Sequence, residues 1–279
     1  MKLKRRILIL TIVFIAAQAL VLYPFFANIY NYRLSQSLIT EYEEIVTEID
    51  DSEYEQMIEE AQAWNAELYT WIEPSYFPDG MTNEEIYESL LNYSGNGMMG
   101  YVVIPKIDVS LPIFHYTTDE VLEKGAGHMQ ASALPVGGEN THCVITAHRG
   151  LPGATMFTDL DELEIGDVFY LKVLGQTYAY EVCEIQEVDP DETSSLLPEL
   201  GRDLCTLVTC TPYGVNTQRL LVTGERIDYE EDDEVSTTSA IVSAFKADYL
   251  LLIVSACELI FYIVLIVYFI KTSKKQIIR

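Results

Sequence analysis

Basic residues are scarce in this 279-residue chain, with 17 Lys and Arg against 43 Asp and Glu. Eight of the 17 sit at the two ends, so that nine basic residues face 42 acidic ones between Asn31 and Leu250, a net charge of −33. A surface of that sign repels a polyanion, which excludes nucleic acid as a partner. It reads as a solvated, soluble face and leaves divalent cations open as ligands. Cysteine is scarce as well. Five is an odd number, no C-x-x-C occurs, and Cys257 lies in a long apolar run. A disulfide framework is therefore excluded, and Cys143, Cys183 and Cys205 read as small core residues. Cys205 and Cys210 differ by an odd offset on one strand, which points them to opposite faces and argues against a redox pair. His142, Cys143, His148 and Cys210 are metal-ligating types, but their spacing fits no common zinc site, and no metal or other cofactor is implied. The chain has no internal repeat and no low-complexity segment.

Long apolar runs, by contrast, are present twice. Residues 7–27, ILILTIVFIAAQALVLYPFFA, and residues 249–270, YLLLIVSACELIFYIVLIVYFI, are each long enough to cross a bilayer. Lys2, Lys4, Arg5 and Arg6 precede the first, and Lys271, Lys274, Lys275 and Arg279 follow the second. The positive-inside rule then puts both termini in the cytoplasm and everything between the spans outside. Ala17-Gln18-Ala19 resembles a signal-peptide cleavage site, yet the apolar run continues through Phe25 and Phe26, which suits an uncleaved anchor. Glu258 falls in the middle of the second run, where a charge is costly. It is either a protonated or snorkelling side chain or a helix–helix contact.

Chemistry concentrates in two segments. In TLVTCTPYGVNTQR, Thr206 to Arg219, an apolar strand carrying Leu204, Leu207 and Val208 is stopped by the turn residues Thr211-Pro212-Tyr213-Gly214 immediately after Cys210. The thiol is thereby placed at a rim, and Arg219 opens the next strand, RLLVTGERI, which returns toward that rim. A lone cysteine in an apolar run is most often a small hydrophobe, but a nucleophilic thiol needs a basic partner. THCVITAHRG, Thr141 to Gly150, supplies His148 at the end of another β-rich run. Thr209, Thr211 and Tyr213, flanking the thiol, are candidates for contact with substrate.

These two segments resemble the signatures of the sortases, cysteine transpeptidases with a T-G-H-R-G-like and a T-L-x-T-C-T-P-Y-G-x-N-T-x-R segment. The likeness extends from Met98 to Arg226 through GNGMMGYVVIPKIDVSLPIFHYT, GAGHMQASALPVGGENTH and HRGLPGATMFTDLDELEIGD, and is closest to the class C, pilin-polymerising branch. Ala147, Tyr116 and Gln218 stand where the pattern has glycine, glycine and histidine. The resemblance implies an eight-stranded β-barrel with Cys210 as thioacyl-forming nucleophile, His148 as general acid and base, and Arg219 at the substrate carbonyl. It also implies a donor with a Leu-Pro-x-Thr-Gly-type sorting signal cut between Thr and Gly, and a pilin lysine as acceptor, in a Gram-positive-type envelope. Attachment of single surface proteins to a cell-wall amine is an alternative, as is a catalytically idle membrane scaffold for pilus assembly. A lid with an Asp-Pro-aromatic motif belongs to class C. No such tripeptide occurs, and Tyr76 or Phe77 is the available substitute.

The expected order is a basic tail (1–6), an anchor (7–27), a helical and lid-like region (28–97), the barrel (98–229), an acidic linker (230–248), a second span (249–270) and a basic tail (271–279). Within 28–97, Ile39, Tyr42, Ile45, Val46 and Ile49, then Met57, Ile58, Ala61, Trp64, Leu68 and Trp71, recur at helical intervals, predicting amphipathic helices packed on the barrel. YVVIP, ASALPV, THCVITA, DVFYLKVL, QTYAYEVCEIQEV, DLCTLVTC and QRLLVTGERI predict strands of an antiparallel sandwich or closed barrel. Brief helical stretches are expected near Met156–Leu163 and Thr193–Leu197, and His115 and His128 read as structural.

Overall fold

The computed structural model describes residues 2–68, 83–229 and 246–277. Three helices precede the sheet: α1 (Lys2–Val46), α2 (Asp51–Leu68) and α3 (Asn83–Ser89). The strands are β1 (Met98–Ile104), β2 (Val109–His115), β3 (Ala126–His128), β4 (Thr141–Thr146), β5 (Val168–Val173), β6 (Gln176–Val188), β7 (Asp203–Thr211) and β8 (Gln218–Ile227). A one-turn helix α4 (Asp119–Leu122) lies between β2 and β3, and α5 (Lys246–Ile277) closes the chain. The strands form a closed barrel in the order β1-β2-β3-β4-β7-β8-β6-β5.

The closed sheet is mixed. Most neighbours are antiparallel, but β2–β3 and β4–β7 are parallel, a correction to the antiparallel expectation. Parallel neighbours need a crossover connection, and the β5–β6 hairpin and its flanking loops supply it between β4 and β7. Two strand assignments also change. ASALPV, residues 131–136, is irregular chain, tied to β4 through Ala133 N–H donating to His142 O at 3.0 Å. The strands nearby are instead β2, which includes Pro112, and the three-residue β3. Proline is tolerated because β3 pairs with β2 only from Ile113 onward, leaving Pro112 with β1 as its strand neighbour.

Side chains fill the barrel. Tyr87, Tyr180, Phe157 and Phe169 are fully buried, and the Phe169 and Tyr180 rings stack with centroids 5.6 Å apart. Gly224 on β8 makes room for that stack, since a Cβ there would lie 2.6 Å from Phe169 Cε1. Outside the barrel, Ile39 and Tyr42 of α1 pack on Met98, Tyr101 and Phe114. Tyr42 is locked there, donating to Met99 O at 2.9 Å and accepting from Leu174 N–H at 2.8 Å. On α2, Ala61 and Trp64 join the main core, and Asn65 exchanges hydrogen bonds with the backbone of Leu134. The helical intervals up to Leu68 therefore do place helices against the barrel, while Trp71 lies outside the described residues. The one-turn helical stretches fall at Leu160–Glu162 and Ser194–Leu196.

α1 does not end where its hydropathy changes. It runs unbroken through Pro24 to Val46, so the apolar segment and the barrel-packing segment are one helix. It is long and apolar enough to cross a membrane, whereas the described apolar stretch of α5, Ile253–Tyr268, is shorter. The two helices touch. Tyr262 Oη donates to Thr11 Oγ1 at 2.9 Å, its ring stacks on Phe14 at 4.1 Å, and Gln18 Nε2 donates to Glu258 Oε2 at 2.6 Å. Residue numbers rise along α1 as they fall along α5, so the pair is antiparallel. Of the alternatives for Glu258, the helix–helix contact is the one formed.

The buried histidines are hydrogen-bonded rather than free. His128 lies between Tyr87 Oη at 2.8 Å and Ala133 O at 2.8 Å, and His115 between Gly97 O and Leu90 O, both at 2.9 Å. His142 Nδ1 donates to Leu197 O at 3.0 Å while Nε2 accepts from Thr206 Oγ1 at 2.6 Å, a neutral tautomer with both nitrogens satisfied. Burial holds the His142 imidazole below histidine's ordinary value of 6.5. For a base with a depressed folded-state pKa, the unfolded chain binds the proton first. The stabilisation is thus complete above about pH 6.5 and is lost as pH falls from there toward the folded-state value. Thermal unfolding scanned between pH 8 and pH 5 should show a falling midpoint below about 6.5, and His142→Gln should flatten that slope. A pH-independent midpoint would refute it.

Candidate active site

The parallel pairing of β4 and β7 positions the site. The register runs from Thr141↔Asp203 to Thr146↔Val208. It continues one step further, since Ala147 N–H donates to Val208 O at 3.1 Å and Thr209 Oγ1 donates to Ala147 O at 2.8 Å. Both strands therefore finish at the same rim of the barrel, and His148 follows β4 level with Cys210 near the end of β7. β7 and β8 are antiparallel, with Cys210 directly opposite Arg219. Directly opposed residues of an antiparallel pair project from the same face, so the thiol and guanidinium stand side by side. Three residues predicted from two separate motifs are thus brought together by two neighbouring ladders.

All three are half-buried, reachable from solvent yet backed by the wall. Arg219 Nη1 donates to Gln218 O at 3.1 Å, and a guanidinium carries five N–H donors. Upstream on the same strand Cys205 is fully buried opposite Cys143, both as free thiols, and burial drives the Cys205 thiol well up. Cys183 is half-buried and donates to Thr223 O at 3.4 Å. Cys210 is the cysteine that β7 delivers to the rim.

The flanking candidates divide. Thr209 and Thr211 are buried, and their hydroxyls are already engaged, the first by Ala147 O and the second by Arg149 Nη1 at 3.1 Å and Glu187 Oε1 at 3.2 Å. Tyr213 is 60% exposed, with its ring against Gly150: a Cβ on that glycine would lie 2.9 Å from Tyr213 Cε2. Of the three, Tyr213 is the one with an exposed ring, and it lies against Gly150 two residues after His148. Tyr76 and Phe77 lie outside the described residues.

Arg149 was not singled out by sequence reasoning, although it follows His148 directly. Its side chain is 6% exposed. Nε donates to Thr158 O at 3.1 Å, Nη1 to Thr211 Oγ1, and Nη2 pairs with Asp161 Oδ2 at 2.5 Å. One planar group thereby ties the segment after His148 to the strand end beside Cys210 and to the loop that follows. Arg149→Ala should destabilise the fold by about 2–3 kcal/mol, because it leaves Thr158 O and Thr211 without donors. Arg149→Lys should recover only part, since an ammonium cannot reproduce the three-way fork. Chemical denaturation of both variants checks the order, and equal stability of the lysine variant and the native protein would refute the fork.

The family model for the sortase domain matches residues 102–227. The structure is similar to that of sortase C1 from Streptococcus agalactiae, with a TM-score of 0.64 and 42% identity over 70% of this chain and 100% of that one. The chain belongs to the sortase family. A Streptococcus pneumoniae sortase C is likewise similar, at TM-score 0.59 and 44% identity over 69% of this chain and 97% of that one. These likenesses associate this sortase with class C. Curated relatives include Sortase A of Streptococcus agalactiae, 31% identical over 54% of this chain, and Sortase D of Bacillus subtilis, 34% identical over 46%. The match spans about three fifths of those relatives' length, 61% and 63%.

Proposed function

We propose that this sortase is a membrane-anchored cysteine transpeptidase that joins pilin subunits outside the cell. The observation that carries the reading is the register that sets His148 level with Cys210 and Arg219 opposite it. In the reaction, the Cys210 sulfur, its proton taken by His148, attacks the Thr carbonyl carbon of the Thr–Gly bond in a sorting signal. The S–C bond forms as the C–N bond breaks, and His148 gives a proton to the leaving amine. Arg219 donates to the carbonyl oxygen as it gains negative charge. A lysine amine of a second subunit then attacks the thioester, His148 takes its proton, and the thiol is restored. An amine displaces a thioester readily, which suits a cysteine enzyme to amide exchange.

Pilin as substrate is supported by the class C likeness, since the pneumococcal relative is described in terms of pilin substrate specificity. Anchoring by two antiparallel spans, with both termini cytoplasmic, is supported by the apolar length of α1 and by its contacts with α5. Intact mass measurement of the protein incubated with a sorting-signal peptide and a lysine-bearing pilin tests the chemistry. A thioacyl adduct on Cys210 resolved to a lysine isopeptide is expected. Resolution only by wall-type amines would reassign the enzyme to surface-protein anchoring, and absence of any adduct would leave a scaffold.

A further inference from the structure

The loop that follows His148 touches the helix that enters from the apolar segment. Asn31 Nδ2 donates to Gly153 O at 2.7 Å, and Thr155 Oγ1 donates to Asn28 Oδ1 at 3.1 Å. Gly153 has a φ of +86°, and a Cβ there would overlap the side chain of Ala27. Ala27 and Asn28 lie four and three residues before Asn31, so that each neighbours it on the same side of α1. Phe26 and Tyr30, next to these residues in the sequence, are instead 60% and 67% exposed. Docking thus begins at the residues where the apolar segment ends.

The same loop is fastened at its other end to the catalytic segment. Phe157, fully buried, donates its N–H to His148 O at 3.0 Å. Thr158 takes Arg149 Nε on its carbonyl and Gly150 N–H on its hydroxyl at 3.2 Å. A continuous chain of contacts therefore runs from Asn28 and Asn31 through Gly153 and Thr155 to the backbone of His148. Between β4 and the turn at Leu160–Glu162 the loop forms no strand or helix of its own, so side-chain ties and turn bonds hold it.

We propose that Asn28 and Asn31 of the anchor helix are positioning residues for His148, so that the membrane-exit turn of α1 is part of the active site. The inference rests on the cysteine–histidine reading of the site. Holding the loop at Gly153 limits how far the imidazole can drift from Cys210. A misplacement on the order of 1 Å can cost two orders of magnitude in rate. Cysteine chemistry is thereby coupled to the segment that leaves the apolar span, and an enzyme truncated past Asn31 keeps all three reactive groups but loses the brace.

The test uses the full chain in lipid nanodiscs. Wild type, Asn28→Ala/Asn31→Ala, Tyr30→Ala and His148→Ala are compared for single-turnover acylation by a sorting-signal peptide, its pH profile, and hydrogen exchange at residues 150–158. The double variant should acylate roughly tenfold more slowly with KM within about twofold. It should exchange faster at 150–158, shift its pH–rate profile and keep the native unfolding midpoint, while Tyr30→Ala should match wild type. Unchanged rate and exchange in the double variant, with His148→Ala inactive, would overturn the positioning role alone. A rate loss matched by a fall in unfolding midpoint would overturn it too, as a general loss of fold. Full activity of His148→Ala would bring down the catalytic reading and this inference together.

Discussion

Replacing Cys210 by alanine is expected to abolish acyl transfer, by on the order of 10⁴-fold or more, while the thermal unfolding profile stays close to that of the native protein. The side chain is half-buried at a strand end, and the ladder bonds to β8 are backbone bonds that alanine keeps. Loss of one rim sulfur should cost at most about 1 kcal/mol. Cys205, five residues earlier and fully buried, provides the contrast. Cys205→Ala leaves a small void in the wall and should cost about 1–2 kcal/mol with turnover retained. Intact mass and calorimetry on both variants separate the roles. Turnover surviving in Cys210→Ala would sink the nucleophile assignment, and a collapse of the Cys210→Ala fold would mean that the thiol is structural.

Local chemistry made the candidate groups legible in the sequence, and long-range pairing kept the rest hidden. The apolar run ending at Cys210, stopped by Thr211-Pro212-Tyr213-Gly214, announces a strand with a thiol at its end. The run ending at Thr146 announces another with His148 beyond it. Nothing in either run states that β4 and β7 are parallel neighbours, because a strand buried on both sides looks the same whichever way its partner runs. That pairing is what brings the two ends to one rim. Pro112 concealed β2, since proline signals a break in a strand unless the neighbouring pairing begins beyond it. The role of Arg149, next to His148 in the motif, is not legible there because its partners Thr158, Asp161 and Thr211 are joined to it only by the fold. The brace from α1 was invisible for the same reason: Asn31 and Gly153 are 122 residues apart. The hydropathy change near residue 27 suggested a boundary, yet no strong breaker occurs between Ala27 and Ser37, and the helix continues.

Arg219 should carry the other large effect, and its two substitutions should differ in kind. Its Cα is paired directly with that of Cys210, a separation of roughly 4.5–5.5 Å in an antiparallel ladder. From there a guanidinium can reach past the sulfur to an oxygen bonded to the carbon under attack. One donor is spent on Gln218 O, which orients the group and leaves the fork to face the rim. An interaction of this kind strengthens as the carbonyl oxygen gains charge, so its loss should appear in kcat and not in KM. Arg219→Ala is expected to lower kcat about 10²–10³-fold with KM within about threefold and little change in unfolding. Arg219→Lys restores the charge but neither the bond geometry nor the orienting contact, and should recover about one order of magnitude of that loss. Steady-state kinetics of the two variants decide between roles. If the alanine variant raised KM at unchanged kcat, Arg219 would be a binding residue that holds substrate equally in the ground and transition states. If the lysine variant matched the native enzyme, a positive charge beside Cys210 would be enough and the fork would play no part.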